Sequence, residues 1–285
     1  MAQAYEPFFT DLLTLLAQRI EAVRAGPFPA ETPWKNDAQA LAIKLFKHSC
    51  SLKVLSKETT FQWNGGLQAS FIDHASLKSV ARSELETLLV FFYVFGSGSD
   101  DVIEYRHMTW KLGGLMDRLD VTATTPESKS RRKVDQQQAD ALVAAISAHP
   151  IFSTEPDHRK KRVLLGEWRH QLHWQKLGEA ADFHPTYFRD MYSYLCGYSH
   201  SSWASVLQIS QAKSLQDQSS LAEAIMGMAT SVLAHFVQVY SNYFPAAQGA
   251  PATADQKRAL TFWTFGKAEM GKHYNEALAA DSTQA

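Results

Sequence analysis

Two residues of opposite charge enter the most apolar stretch of this chain. In ARSELETLLVFFYVF, residues 81–95, Arg82 and Glu86 are four apart, so a helix carries them on one face. The turns that follow are apolar on every side, as in a central helix. An arginine and a glutamate entering such a core must pair, because an unpaired buried charge costs several kcal/mol. The couple is either the polar floor of a pocket or a structural ion pair at the wet end of the helix.

A second concentration of chemistry is YSYLCGYSHSSW, residues 192–203. Cys196 and His200 are four apart there, as are Tyr194 and Tyr198. A thiolate beside an imidazole is a nucleophile pair. A free cysteine is equally a small buried hydrophobe. His200, at the expected helix end, is placed to bond a last-turn carbonyl or Glu86, or to act as a general acid or base. Tyr194, His200 and Ser202 are the functional candidates of this segment. Tyr192, Leu195, Cys196 and Trp203 are expected to pack.

Glu-x-x-His pairs occur at Glu104–His107 and Glu167–His170, and in a loop at Glu155–His158. On facing bundle helices this spacing binds di-metal centres, given a lone carboxylate from each of two further helices. Glu86 offers one, and the intervening segment offers only Asp135 and Asp140. The alternative is that Tyr105 and Trp168 pack while Arg106 and Arg169 reach outward to carboxylates or ligand. His170, His173, His184 and His200 form a looser mononuclear set, with neither HExxH nor a CxxC pair to fix its geometry. No cofactor is assigned. Two basic runs, KSRRK (129–133) and HRKKR (158–162), are separated by a helix. They form either a phosphate-binding rim for RNA or solvated charge.

The elements that must position these groups are helical. Apolar residues recur at helical spacing nearly throughout, without sustained alternation. Helices are predicted over 5–24, 37–56, 67–95, 100–119, 134–149, 163–177, 185–198, 220–243 and 255–278. QWNGG at 62–66 is a breaker, 122–133 a polar linker, Ser220 to Glu223 a capping box, and 279–285 a flexible tail. Gly113 and Gly114 imply close packing or a frayed end. The fold class is all-α: a single helical bundle over 1–285 of roughly eight to ten helices.

Composition fits a soluble globular chain, with 45% hydrophobic and 20% charged residues and net charge −1. No global field draws it to nucleic acid or membrane. Two cysteines, Cys50 and Cys196, exclude a disulfide framework. The N-terminus lacks the positive region of a signal peptide, and LLVFFYVF is too short to span a bilayer. The cytoplasm and no membrane partner are the expectation.

Arg82-x-x-x-Glu86, then Trp168 or Trp174, then Tyr192-x-x-Leu195-Cys196-x-x-x-His200-x-Ser202 resembles an uncharacterised bacterial all-helical family, a domain of unknown function, over about residues 67–210. Its members are similar to HEPN-type helical domains, which include ribonucleases of toxin–antitoxin and phage-defence systems. The resemblance implies a defence or stress role, a possible homodimer, and His200 as acid or base beside an arginine that stabilises a phosphorane-like transition state. The chain departs from the active HEPN pattern of Arg and His separated by four to six residues. Seven residues lie between Arg162 and His170, and ten between Arg189 and His200.

Three functions follow as expectations. One is a cytoplasmic binding protein whose pocket is lined by Arg82, Glu86, Tyr194 and His200. The second is a metal-independent ribonuclease. The third is a di-metal enzyme using Glu104, His107, Glu167 and His170.

Overall fold

The computed structural model describes residues 5–24, 28, 32–63, 65–169 and 172–282, with side chains described as far as Tyr274. Helix accounts for 77% of the chain, as the all-α reading requires. In chain order come α1 (Glu6–Arg24), α2 (Trp34–Leu55), β1 (Thr59–Trp63), β2 (Leu67–Phe71), α3 (His74–Val94), α4 (Asp100–Asp120), α5 (Pro126–Ala148), α6 (Pro150–Thr154), α7 (Asp157–Leu164), α8 (Trp174–Ala180), α9 (Pro185–Ser199), α10 (Trp203–Gln211), α11 (Leu215–Tyr243), α12 (Pro245–Gln248), α13 (Ala254–Trp263) and α14 (Lys267–Ser282).

The fourteen helices among the described residues exceed the eight to ten expected. Short helices account for part of the surplus, and the predicted 255–278 helix breaks into α13 and α14. The predicted 163–177 helix does not form: α7 stops at Leu164 and α8 begins at Trp174. Gly166, at φ +92, interrupts it in a conformation that favours glycine. Conversely, much of the expected 122–133 linker is helical. Thr125 and Ser128 form a reciprocal capping box, and Pro126 takes the first helical position. The cap of α11 is Ser214 with Asp217, six residues before the expected Ser220. Helix α14 runs through residues 279–282 of the expected tail, and 283–285 lie outside the described residues.

The QWNGG breaker is the turn of a β-hairpin, so the third helix starts at His74 rather than at Leu67. Thr59 pairs with Phe71 and Trp63 with Leu67. This register puts Phe61, Trp63 and Leu67 on one face and Thr60, Gln62, Gln68 and Ser70 on the other. Five residues per strand are too few for alternation to stand out from helical spacing. Phe61 and Trp63 stack at 5.7 Å on the exposed apolar face.

The chain divides into two compact units. One comprises Met1–Phe91 and Trp174–Ala285, the other Phe92–His173. The 67–210 segment takes in the whole second unit and parts of the first. In the first unit α11 is the central element. Ile225, Val232, Leu233, Phe236, Val237 and Tyr240 are buried along it, and Phe91 of α3 meets Phe236 edge-on at 5.0 Å. Phe9, Leu12 and Leu16 of α1 and Leu41, Leu45 and Leu52 of α2 complete the core. Helix α11 alone among the described residues is long and apolar enough to cross a membrane, and 67% of its most apolar window is buried against the rest of the protein.

The second unit packs α4 against α5 and α7 around Tyr105, Leu112, Leu115, Ile146, Phe152 and Val163. A β-carbon on Gly113 would lie 2.7 Å from the Gly166 carbonyl and 2.7 Å from the Trp168 ring. Close packing, not fraying, is therefore the reason for glycine there, and α4 continues to Asp120.

Candidate functional site

Helix α3 brings Lys78, Arg82 and Glu86 to one face at four-residue intervals. Helix α9 lies opposite. Pro185 starts it, His184 accepts a bond from the Tyr187 amide, and a Schellman turn ends it. The Ser202 amide donates to the Gly197 carbonyl at 2.9 Å and the Ser201 amide to Tyr198 at 3.2 Å. Ser201 takes the left-handed position, at φ +50, where glycine is usual. The turn holds His200 as the C-cap of α9.

The residues predicted from 118 positions apart do meet. Arg82 Nε donates to Glu86 Oε1 at 2.9 Å, and Arg82 Nη1 lies 3.2 Å from His200 Nε2. Arginine carries donors only, so Nε2 is the acceptor in this contact, which corresponds to the tautomer with its proton on Nδ1. Tyr192 closes the group: its hydroxyl donates to Glu86 Oε1 at 2.8 Å, and Arg82 Nη2 approaches the phenol oxygen at 3.5 Å. Tyr192 was expected only to pack, and it does so as well, stacking on Phe188 at 5.7 Å.

Arg82 and Glu86 are 20% and 27% exposed, so the pair is neither dry nor fully solvated. Burial pulls the Arg82 guanidinium down, but the bond and charge of Glu86 outweigh it and the net shift is upward. Burial first, and then the bond to Glu86, push the Tyr192 hydroxyl above the ordinary tyrosine range, so it stays protonated and donates. The result is an exposed imidazole fixed by a half-buried guanidinium, with a carboxylate behind.

Tyr194 does not join this group. It faces Lys78, whose ammonium lies 4.7 Å from its ring and 3.7 Å from the Tyr198 ring. Ser202 caps α10, accepting from the Ser205 amide at 3.3 Å, and it also lines a cavity. Trp203, expected to pack, is 76% exposed. Leu195 is buried as expected. The His200 Nε2 atom is turned to Arg82, so the Cys196–His200 spacing does not produce a nucleophile pair in this conformation.

The remaining candidates are employed structurally. Arg106 donates to the carbonyls of Tyr93 and Ser97, each at 2.8 Å, and stacks over the Tyr93 ring at 4.6 Å. It closes the C-terminal end of α3. Arg169 lies over Trp168 at 5.7 Å and lines a cavity of about 410 Å³ with Arg162, Glu167 and His173. Glu104 and His107 lie on α4, with His107 buried 6.0 Å from Phe95. Glu167 lies in a loop and pairs with Arg162, while His170 lies outside the described residues. With one pair off any helix, the two-helix geometry of a di-metal bundle is not formed. Among the described residues, no group of three His, Cys, Asp or Glu side chains converges to hold a metal ion.

The basic runs are partly consumed too. Arg132 donates to the carbonyls of Leu119 and Val121, and Arg159 is buried against Glu155 at 2.8 Å.

Sequence reasoning missed Lys78, Tyr198, Gln208 and Glu84. The signal for Lys78 was present, since Lys78, Arg82 and Glu86 form one polar stripe. Glu84 gave none. It is fully buried; burial raises its carboxyl to about 8, against a lowering bond from Ser49. The Ser49 hydroxyl is 2.5 Å from Glu84 Oε1. Compared with known proteins, the chain matches no family model, no curated protein and no solved structure.

Proposed function

We propose that the protein is a helical binding protein, and that Arg82, Glu86, Tyr192 and His200 form its recognition site for a polar ligand. The contact of Arg82 Nη1 with His200 Nε2 at 3.2 Å carries this reading. A purely structural ion pair needs only Arg82 and Glu86. Adding an exposed imidazole and a protonated phenol gives convergent polar groups, one ingredient of a ligand site. The ligand that suits it is one with acceptor atoms, such as a mononucleotide. The Nδ1–H of His200 and the guanidinium edge are the donors that would receive it.

The test is a thermal-shift and calorimetric titration with purine and pyrimidine mononucleotides. Binding is expected in the wild type and lost in His200→Ala and Arg82→Met, with helicity unchanged by circular dichroism. Absence of wild-type binding, or binding retained in both variants, removes the site.

The same contact favours a second reading, a HEPN-like metal-independent ribonuclease of a defence or stress system. An imidazole whose Nε2 takes the 2′-hydroxyl proton once Arg82 turns from it to the phosphorane charge supplies, with that guanidinium, the two groups such a cleavage needs. Incubation with total RNA separates the readings. Fragments formed by the wild type and absent with His200→Ala select the nuclease; identical patterns discard it.

A further inference from the structure

The cavity of about 530 Å³ beside α9 and α10 is bounded by Asp190, Tyr194, Tyr198, Ser202 and Gln208. Its volume falls within the ordinary small-molecule range of about 300–1,000 Å³. One wall, made by Tyr194, Tyr198 and Gln208, has Lys78 behind it rather than in the lining. Three donors converge on a single carboxamide oxygen, Gln208 Oε1. Tyr194 Oη approaches it at 3.3 Å, Tyr198 Oη is in close contact, and Lys78 Nζ is at 3.4 Å. A carbonyl oxygen has two lone pairs, so three donors cannot all be satisfied there; the Tyr194 and Tyr198 hydroxyls also bond each other, which leaves the ammonium as the donor without an alternative acceptor.

Lys78 is the least satisfied. Its residue exposure is 0%, and no described carboxylate lies within ion-pair distance of it. Its compensation is two tyrosine faces and a long bond to an amide. A buried ammonium normally has an ionic partner, because desolvation costs several kcal/mol. Burial alone lowers its pKa to about 8. Burial also raises the Tyr194 and Tyr198 hydroxyls, Tyr198 to about 12, so both remain donors.

We infer that this cavity is a binding site, separate from the Arg82–His200 group, for a small carboxylate that takes the place of the Gln208 amide oxygen before Lys78, Tyr194 and Tyr198. Two carboxylate oxygens offer about four lone-pair positions, enough for all three donors. Charge-assisted bonds from the ammonium then replace one weak bond to an amide. Asp190 stands at the cavity's edge and already pairs with Arg189 at 2.9 Å.

The test uses acetate and succinate as probes, with acetamide as the neutral control and inorganic phosphate as the competing anion, read by calorimetry and melting temperature. The carboxylates are expected to bind the wild type and acetamide not to bind. Lys78→Met is expected to weaken binding about tenfold or more, the scale of one lost charge-assisted bond. Gln208→Glu supplies an internal carboxylate, so it is expected to raise the melting temperature and abolish the carboxylate response. Failure of both carboxylates to bind the wild type, equal binding by Lys78→Met, or binding of phosphate alone overturns the assignment.

Discussion

Two sides of α3 carry carboxylates two residues apart, and they are opposites. Glu86 faces α9 in a half-exposed group, where a guanidinium and a phenol both donate to it. Glu84 is fully buried, with Ser49 as its one bonded side chain and Oε2 without a partner. The helix backbone is the same, so the environment alone separates a charged recognition element from a neutral buried acid. The cations repeat the lesson: Arg82 is matched by a carboxylate, whereas Lys78, one turn earlier, is matched only by rings and an amide.

The largest way to sharpen this contrast is pH. The Glu84 carboxyl is raised from 4.5 to about 8 in the folded protein. Between those values the native state holds a proton that the unfolded chain has released. Its stabilising contribution is therefore fully present below about 4.5 and is lost as pH rises through about 8. The full span corresponds to a difference on the order of 5 kcal/mol. Half-buried His48 and buried His74 and His235 are lowered by burial and act in the opposite sense on the acid side. The measurement is thus a difference: urea unfolding of wild type against Glu84→Gln from pH 5 to 9. The variant is expected to gain on the wild type from pH 5 to about 8 and then to level off. Parallel curves would show that Glu84 is ionised and compensated.

Next come the two cations. Arg82→Met strands Glu86 in a partly desolvated place and is expected to destabilise by about 1–2 kcal/mol. Lys78→Met removes a buried charge without an ionic partner and is expected to be neutral or stabilising by about 1 kcal/mol. Replacing Arg82 and Glu86 together by apolar residues is expected to recover part of the single-variant loss. Denaturation midpoints of the four proteins decide this. Equal losses from Arg82→Met and Lys78→Met would erase the distinction between matched and unmatched charge.

The smallest effect concerns the turn that holds His200. Ser201 occupies a left-handed position, so Ser201→Gly is expected to stabilise by about 0.5–1 kcal/mol. A loss of stability, read from the melting temperature, would mean that the serine side chain contributes more than the strain it carries.

How much was legible follows from the range of the forces involved. The Arg82–Glu86 pair lies within one helical turn, so spacing alone placed it. The end of α9 at His200 was also local, written in Gly197 and the serines after it. The β-hairpin was hidden because its apolar alternation lasts only five residues per strand. The 163–177 helix was overpredicted because Gly166 and the close approach to Gly113 override its apolar spacing. Tyr192 and Tyr194 could not be told apart from sequence. They differ by two positions, or about 200° around a helix, so which one meets Arg82 depends on how α9 is rotated against α3.

The sequence by itself determined an all-helical chain, the stripe of Lys78, Arg82 and Glu86 along one helix face, and a histidine at a helix end. These depend on periodicity and capping, which act over one or two turns. Only the tertiary structure decided that His200 accepts from Arg82, that Lys78 is buried without a carboxylate, and that Glu84 lies in the core. Each of those outcomes joins residues far apart in the chain through desolvation and side-chain packing, which no local pattern encodes.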